Sequence, residues 1–192
     1  MIALRDNSPA VVSPGIYPML YAFFDDRGVL RQDPFRRQVD AALGTQAAGV
    51  AILGLGTEVS KLTFDERVEV LEVVAKRIDG CKPLLVTVYG DTITEQIEFS
   101  KRAIQSGASA LMLQPPSQKM DDAKLVGFFS KIISAVDCPV GIQNAPEFLG
   151  FGLSNESLIA LANDHENFTI AKLECNAVNL ESVASDLGDS VM

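Results

Sequence analysis

The sequence has few basic side chains and no long apolar run. Lysine and arginine number 16 against 25 aspartates and glutamates, which leaves a net charge of -9 over 192 residues. A surface that binds nucleic acid or an anionic membrane needs clustered cations, so this balance argues against either partner. No apolar run reaches the roughly 18 residues of a membrane span, and no basic stretch with an apolar signal core opens the chain. We therefore expect a cytoplasmic protein of ordinary globular composition.

Cysteine and histidine are also scarce. Cys81, Cys138 and Cys175 lie far apart and without CxxC spacing, so neither a disulfide framework nor a zinc site is indicated, and idle thiols are expected. The single histidine, His165, lies in a polar stretch at residues 163–167. A solvated loop side chain explains it more simply than a metal ligand does. The sequence therefore predicts no metal site and no cofactor.

Short apolar runs alternate along the chain with amphipathic segments. Nearly every position within the runs is apolar, which is typical of parallel strands that are covered on both faces. The predicted strands are Gly15–Leu20, Gly49–Leu53, Pro83–Val88, Ala110–Leu113, Pro139–Gln143 and Phe168–Leu173.

The segments between these strands carry start and stop signals for helices. Asp33–Pro34 predicts an N-cap followed by a proline in the first turn. Thr63–Glu66 and Thr92–Glu95 have the spacing of a capping box, and the helices that they open are expected to stop at Gly80 and Gly107. The predicted apolar faces of the second and fourth helices comprise Val68, Leu71, Ala75, Ile78 and Leu125, Phe128, Ile132, Val136.

Six strands, each followed by a helix, fit either an open doubly wound sheet or most of a closed (β/α)₈ barrel. A doubly wound sheet that binds a dinucleotide should show GxGxxG directly after a strand. Gly54 and Gly56 follow the second predicted strand, but Val59 stands where the third glycine belongs. This departure disfavours the dinucleotide fold.

Reacting groups in parallel α/β barrels project from the carboxyl ends of the strands. Three strand ends carry candidates here: the loop Gly54–Glu58, the segment Gln143–Pro146, and Lys172. The glycine loop is suited to holding a carboxylate through its backbone N–H groups, although a tight strand-to-helix turn would have the same composition.

Lys172 lies within an apolar strand, where burial disfavours the charged ammonium. A neutral amine attacks a ketone and forms an imine, which then acts as an electron sink for reactions at the neighbouring carbon. A simpler alternative is an ion pair with Glu174, two positions on and therefore on the same face of the strand. The pattern alone leaves both interpretations open.

These motifs together resemble the dihydrodipicolinate synthase and N-acetylneuraminate lyase family. The resemblance extends over about residues 14–190, and it rests on segments that occur in register: Gly15–Pro18, Gly54–Glu58 with Leu62–Thr63, Gln114–Pro115, Asn144–Pro146 and Ala171–Glu174. It implies a (β/α)₈ barrel, usually tetrameric, in which Lys172 forms a Schiff base with pyruvate or a related 2-oxo acid. It also implies substrate contacts from Gly54, Leu55, Gly56, Thr57, Glu58 and Asn144.

The sequence departs from the family at the positions that move protons. Leu55 and Gly56 stand where the family has two threonines, and Gln143 replaces its tyrosine. An amide is neither an acid nor a base at neutral pH, so Gln143 could only orient substrate or water. The second relay tyrosine is missing near residues 116–117 and the substrate arginine near residues 147–150. These losses predict a changed substrate and not a true dihydrodipicolinate synthase.

Tyr89, which follows the third predicted strand, is a candidate replacement phenol, with a structural tyrosine as the alternative. A complete barrel usually needs about 250 residues. We therefore expect residues 1–192 to form a single incomplete barrel domain of about six βα units, without strands seven and eight, as a portion of a longer protein.

The resulting hypothesis is a Schiff-base lyase that catalyses aldol cleavage or condensation, or dehydration of a deoxy sugar acid. Lys172 would form the imine and Gln143 would position the substrate. Two alternatives remain: a non-catalytic or regulatory homologue that binds a 2-oxo acid without turnover, and a metal-dependent aldolase, for which His165 gives poor support. The full-length protein is expected to be a homodimer or homotetramer.

Overall fold

The computed structural model describes residues 12–187 and residue 191. The helices, in chain order, are α1 Gln32–Leu43, α2 Phe64–Ile78, α3 Ile93–Gln105, α4 Asp122–Ile133, α5 Pro146–Leu149, α6 Asn155–Asp164 and α7 Ala177–Leu187. The strands are β1 Val50–Ile52, β2 Leu84–Val88, β3 Ala110–Leu113, β4 Val140–Asn144 and β5 Phe168–Leu173. Two short 3₁₀ turns, Leu55–Thr57 and Val59–Lys61, follow β1.

The five strands form one sheet in the order β1-β2-β3-β4-β5, and the described pairings are parallel. Strand order therefore follows chain order. A doubly wound sheet reverses its strand order at a switch point, so this topology is that of a singly wound α/β barrel. The predicted fold class is confirmed, and the alternative of a doubly wound, dinucleotide-binding sheet is wrong.

Five of the six predicted strands are present, but Gly15–Leu20 is not a regular strand. Only Met19 forms a parallel bridge, to Ala51, although the backbone of Leu20 also donates to Ala51 O at 3.0 Å. Pro18 has no N–H to give to a ladder, and Gly15 has a φ of 152°. The segment follows β1 without making a continuous ladder.

One compact unit contains residues 12–86 together with Ala103–Ser109. In it α1 and α2 pack on each other, and Arg77 Nε donates to Asp40 Oδ1 at 2.6 Å. The buried side chains of α2 include Val70 and Val74, whereas the predicted Val68 and Ala75 are only half-buried. The apolar face is therefore rotated slightly from the predicted one.

The second compact unit contains Thr87–Arg102 and residues 110–187. Here β3, β4 and β5 form a parallel ladder, and α6 contacts α4, α7 and β5. The predicted apolar face is confirmed on α4 for Leu125, Phe128 and Ile132, which are buried. Val136 is also buried, but it lies beyond the end of α4 at Ile133.

The helix-start predictions are confirmed in part. Thr63 and Glu66 form the complete predicted capping box of α2, and Glu95 N donates to Thr92 Oγ1 at 3.1 Å at the start of α3. The prediction for α1 was wrong by two residues, because Arg31 is its N-cap and Asp33 lies inside the first turn. An acidic side chain is favourable there as well, through the helix dipole, so composition alone did not distinguish the two positions. Among the described residues, no helix combines the length and the hydropathy needed to cross a bilayer.

Candidate active site

The candidate site is built on the carboxyl ends of β4 and β5. In the register of this parallel pair Gln143 lies opposite Lys172 and Asn144 opposite Leu173. The backbone N–H of Glu174 continues the ladder by donating to Asn144 O at 3.0 Å. Gln143 and Lys172, which were predicted from separate motifs, are neighbours because two parallel strands end at the same edge of the sheet.

Lys172 and Glu174 form a close ion pair between Nζ and Oε1. The lysine side chain is 43% exposed and the glutamate side chain 24% exposed. The expectation that Lys172 is desolvated in an apolar strand is wrong for this structure. The reason is that β5 is not the fully buried strand that its apolar sequence suggested, since Ile170, Ala171 and Leu173 are only half-buried. The ion pair that the sequence offered as the alternative is present.

A chain of amide side chains leads to this ion pair. Gln96 Nε2 donates to Gln114 O at 2.9 Å, Gln114 Nε2 donates to Gln143 Oε1 at 2.8 Å, and Gln143 Nε2 donates to Glu174 Oε1 at 2.7 Å. Gln96, Gln114 and Gln143 are all buried. Gln96 reaches the backbone carbonyl of Gln114, whereas the Gln114 side chain fixes the orientation of the Gln143 amide, which in turn donates to the carboxylate.

Sequence reasoning identified Gln143 as a residue that orients, gave Glu174 only as a possible ion-pair partner of Lys172, and did not identify Gln96. Gln114 was noted only as part of a family motif. Its position directly after β3, at the same carboxyl edge as Gln143, was the available signal. Gln96 lies within α3, where the sequence carries no sign of its role.

Asn144 clamps the loop that follows β4. Its Nδ2 donates to Leu153 O at 3.0 Å, and its Oδ1 accepts from Leu153 N at 2.9 Å. Gly152 comes so near that a Cβ there would lie 2.5 Å from Asn144 Oδ1. Asn144 therefore holds the backbone of this loop, and its predicted substrate contact stays a prediction.

The loop Gly54–Glu58 lies in the other compact unit and forms a tight turn. Thr57 N donates to Gly54 O at 3.1 Å, and Glu58 N donates to Leu55 O at 3.0 Å. The N–H groups of Leu55 and Gly56 donate to no backbone oxygen in the part of the chain that is described. The loop thus has two adjacent backbone donors that could receive a carboxylate.

Side chains hold the same loop in place. Buried Thr57 donates from Oγ1 to Leu20 O at 2.5 Å, and Glu58 has a φ of 57°, in the left-handed region that non-glycine residues rarely adopt. Glu58 Oε1 pairs with Lys61 at 2.5 Å. Leu55 is half exposed. The threonine hydroxyl is therefore engaged with the backbone, and the loop offers N–H groups as its polar features.

The remaining candidates lie outside this arrangement. His165 is half-buried, and its Nε2 lies 2.8 Å from Ser130 Oγ, so it is not the freely solvated side chain that the sequence suggested. Tyr89 is half-buried directly after β2, and its role as a proton carrier stays a prediction. Within residues 12–187 no cluster of three or more His, Cys, Asp or Glu side chains could hold a metal ion.

The fold and this strand-end arrangement define an α/β barrel with its polar side chains at the carboxyl edge of the sheet. Residues 13–187 match the Dihydrodipicolinate synthetase family. The chain belongs to that family, and the resemblance found in its motifs is confirmed.

Its relatives include enzymes with different named reactions. The 4-hydroxy-tetrahydrodipicolinate synthase of Pelobacter propionicus is 27% identical over 166 residues, covering 85% of this chain and 57% of the relative. The L-2-keto-3-deoxyarabonate dehydratase of Azospirillum brasilense is 28% identical over 164 residues, covering 83% of this chain and 53% of the relative.

Among solved structures, YagE of Escherichia coli K12 in complex with pyruvate is 27% identical with a TM-score of 0.85. The match covers 90% of this chain and 59% of YagE. The chain thus spans between about half and three fifths of the length of these relatives.

Proposed function

We propose that this protein is a class I lyase that acts on pyruvate or another 2-oxo acid through an imine at Lys172. The observation that carries the proposal is the placement of Lys172 at the carboxyl end of β5, opposite Gln143 on β4, in a chain of this family. A primary amine at that edge of an α/β barrel is placed where such folds bind substrates. The pyruvate bound by the related YagE supports a 2-oxo acid as the ligand class.

We further propose that the reaction is aldol cleavage or condensation, or dehydration of a deoxy sugar acid, and not dihydrodipicolinate synthesis. Gln143 replaces the family's tyrosine, and both polar ends of its amide are engaged, with Gln114 and with Glu174. It can orient a substrate or a water but cannot carry a proton. Relatives named as a synthase and as a dehydratase show that the family includes more than one reaction.

In this proposal the loop Gly54–Glu58 holds the substrate carboxylate through the N–H groups of Leu55 and Gly56. These donors are adjacent and have no backbone acceptor among the described residues. Asn144 contributes by fixing the loop around Leu153 and is proposed to contact the substrate as well. No cofactor or metal is required, because the imine itself serves as the electron sink.

The test is reductive trapping on the full-length protein. Incubation with pyruvate and borohydride, followed by intact-mass measurement and peptide mapping, should give a pyruvyl adduct confined to Lys172. The variant Lys172→Ala should give none. Lys124→Ala is a matched control, because Lys124 is also an exposed lysine in an ion pair, with Asp121 at 2.7 Å. Trapping that persists in Lys172→Ala would refute the assignment.

A non-catalytic 2-oxo-acid-binding homologue is the second candidate function. It is favoured by the replacement of the tyrosine by Gln143, which cannot carry a proton, together with the ion pair that engages Lys172 with Glu174. Calorimetric binding of pyruvate, with no adduct and no product from any deoxy sugar acid, would select it. We also propose a cytoplasmic homodimer or homotetramer for the full-length protein, which analytical ultracentrifugation would test.

A further inference from the structure

Glu174 receives two donors from two strands. Its Oε1 is contacted by Lys172 Nζ, two residues earlier along the chain, and by Gln143 Nε2 at 2.7 Å from β4. Exposed ion pairs are held loosely, because water competes for both partners. This carboxylate is held more firmly, because the amide that orients it is itself buried and hydrogen-bonded.

The amide chain behind Glu174 orients but cannot conduct. Gln96, Gln114 and Gln143 are buried. Gln96 Nε2 donates to the backbone carbonyl of Gln114, Gln114 Nε2 donates to the Gln143 side chain, and Gln143 Nε2 donates to Glu174. Amides neither gain nor lose protons near neutral pH, so no proton passes along them. Glu174 is the ionisable member at the end of this chain, and it directly contacts the nitrogen that would react.

From this geometry we propose that Glu174 is the catalytic acid and base for imine formation at Lys172. The inference rests on the proposed function, because it needs Lys172 as the nucleophile. Glu174 supplies the proton transfers for which the Gln143 amide is unsuited. Gln143 is a positioning residue that acts through Glu174.

The steps balance without any further reactant. The Lys172 ammonium gives a proton to the Glu174 carboxylate, and the neutral amine attacks the carbonyl carbon, whose π pair moves to oxygen. The carboxylic acid protonates that oxygen, and the resulting carboxylate takes a proton from the nitrogen to leave a neutral carbinolamine. The same acid then protonates the hydroxyl, which departs as water while the nitrogen lone pair forms the C=N bond. Glu174 ends as a carboxylate, and the nitrogen ends as a protonated imine.

A purely structural ion pair would predict different kinetics. Loss of a structural partner changes stability or substrate affinity but does not make the rate depend on an added carboxylic acid. Loss of a proton carrier slows the imine step by about 10²-fold or more, and a small acid that can enter the site should partly replace it.

The experiment measures the rate of pyruvate trapping at Lys172 in the full-length protein, by borohydride quenching at timed intervals. Glu174→Gln should trap at least about 10²-fold more slowly than wild type, acetate should accelerate that variant and not the wild type, and Glu174→Asp should restore much of the rate. Glu98→Gln is the matched control, since Glu98 is a carboxylate paired with Arg102 at 3.2 Å. It should trap at the wild-type rate.

Two results would overturn the inference while leaving the proposed function in place. One is wild-type trapping by Glu174→Gln. The other is a slowed Glu174→Gln variant that acetate does not accelerate and whose rate Glu174→Asp does not restore. If Glu174→Gln fails to fold, Glu174→Asp still decides. Its carboxylate is one methylene short of the original position, so trapping should be slower than in the wild type and acetate should accelerate it. A slowed rate that acetate does not change would count against the inference. Absence of any wild-type adduct would refute the proposed function, and the role of Glu174 with it.

Discussion

Removal of the Asn144 amide should destabilise the protein far more than an ordinary asparagine-to-alanine change. The side chain is 8% exposed, and it joins both backbone polar groups of Leu153, which is 4% exposed. Asn144→Ala deletes two hydrogen bonds of 3.0 and 2.9 Å and leaves a buried N–H and a buried C=O without those partners.

The magnitude follows from the cost of unpaired polar groups. Each buried group that loses its partner costs about 1–3 kcal/mol, and relaxation of the loop toward water recovers part of it. We therefore expect Asn144→Ala to lower the free energy of unfolding by about 2–4 kcal/mol. With a urea dependence of about 2 kcal/mol per molar, the unfolding midpoint should fall on the order of 1–2 M.

Urea unfolding followed by circular dichroism measures this shift. Asn179→Ala is the matched control, because Asn179 lies exposed within α7, and its replacement should change stability by less than about 0.5 kcal/mol. Equal midpoints for the two variants would refute the view that Asn144 clamps the loop at Leu153.

Three further predictions concern stability and thiol chemistry. Thr63→Ala removes the capping box of α2 and should cost about 1 kcal/mol in thermal unfolding, whereas an unchanged melting temperature would contradict the cap. Burial, with a smaller contribution from a neighbouring acid, raises the pKa of Cys138 to about 11, so maleimide followed by peptide mapping should label exposed Cys81 first and Cys138 hardly at all below pH 10. Burial raises the pKa of Asp122, but hydrogen bonds from the serines that begin α6 outweigh it and leave a lowered pKa. Its contribution to stability is therefore complete above about pH 4 and is lost as pH falls through the folded pKa, so Asp122→Asn should flatten the acid limb of a stability-pH curve.

Gln143, which replaces the family's tyrosine, contacts the rest of the site through its hydrogen bond to Glu174. The same amide that cannot carry a proton holds the carboxylate that contacts Lys172. A change of substrate and a change of proton carrier are therefore tested by separate measurements. A screen of deoxy sugar acids addresses the first, and the acetate dependence of trapping in Glu174→Gln addresses the second.

Local chemistry was sufficient to predict much of the fold. Thr63 and Glu66 form a capping box because their three-residue spacing places each side chain at the other's backbone N–H. The apolar runs became β1 to β5, because parallel strands that are covered on both faces need uniformly apolar sequence. The predicted strand Gly15–Leu20 was wrong, because a proline interrupts its hydrogen-bond ladder. The predicted N-cap at Asp33 was wrong because an acidic residue suits either the cap or the first turn.

The site depended on contacts that no local pattern encodes. Gln114 meets Gln143 across 29 positions of sequence, because successive parallel strands end at one edge. Gln96 reaches the backbone of Gln114 across 18 positions, from helix α3. The sequence alone determined that Lys172 and Glu174 would share a face of a strand, and it left their pairing open. Tertiary structure decided that the pair forms, that it is partly exposed, and that a buried amide orients it, since exposure and hydrogen bonding depend on which strands and helices are neighbours.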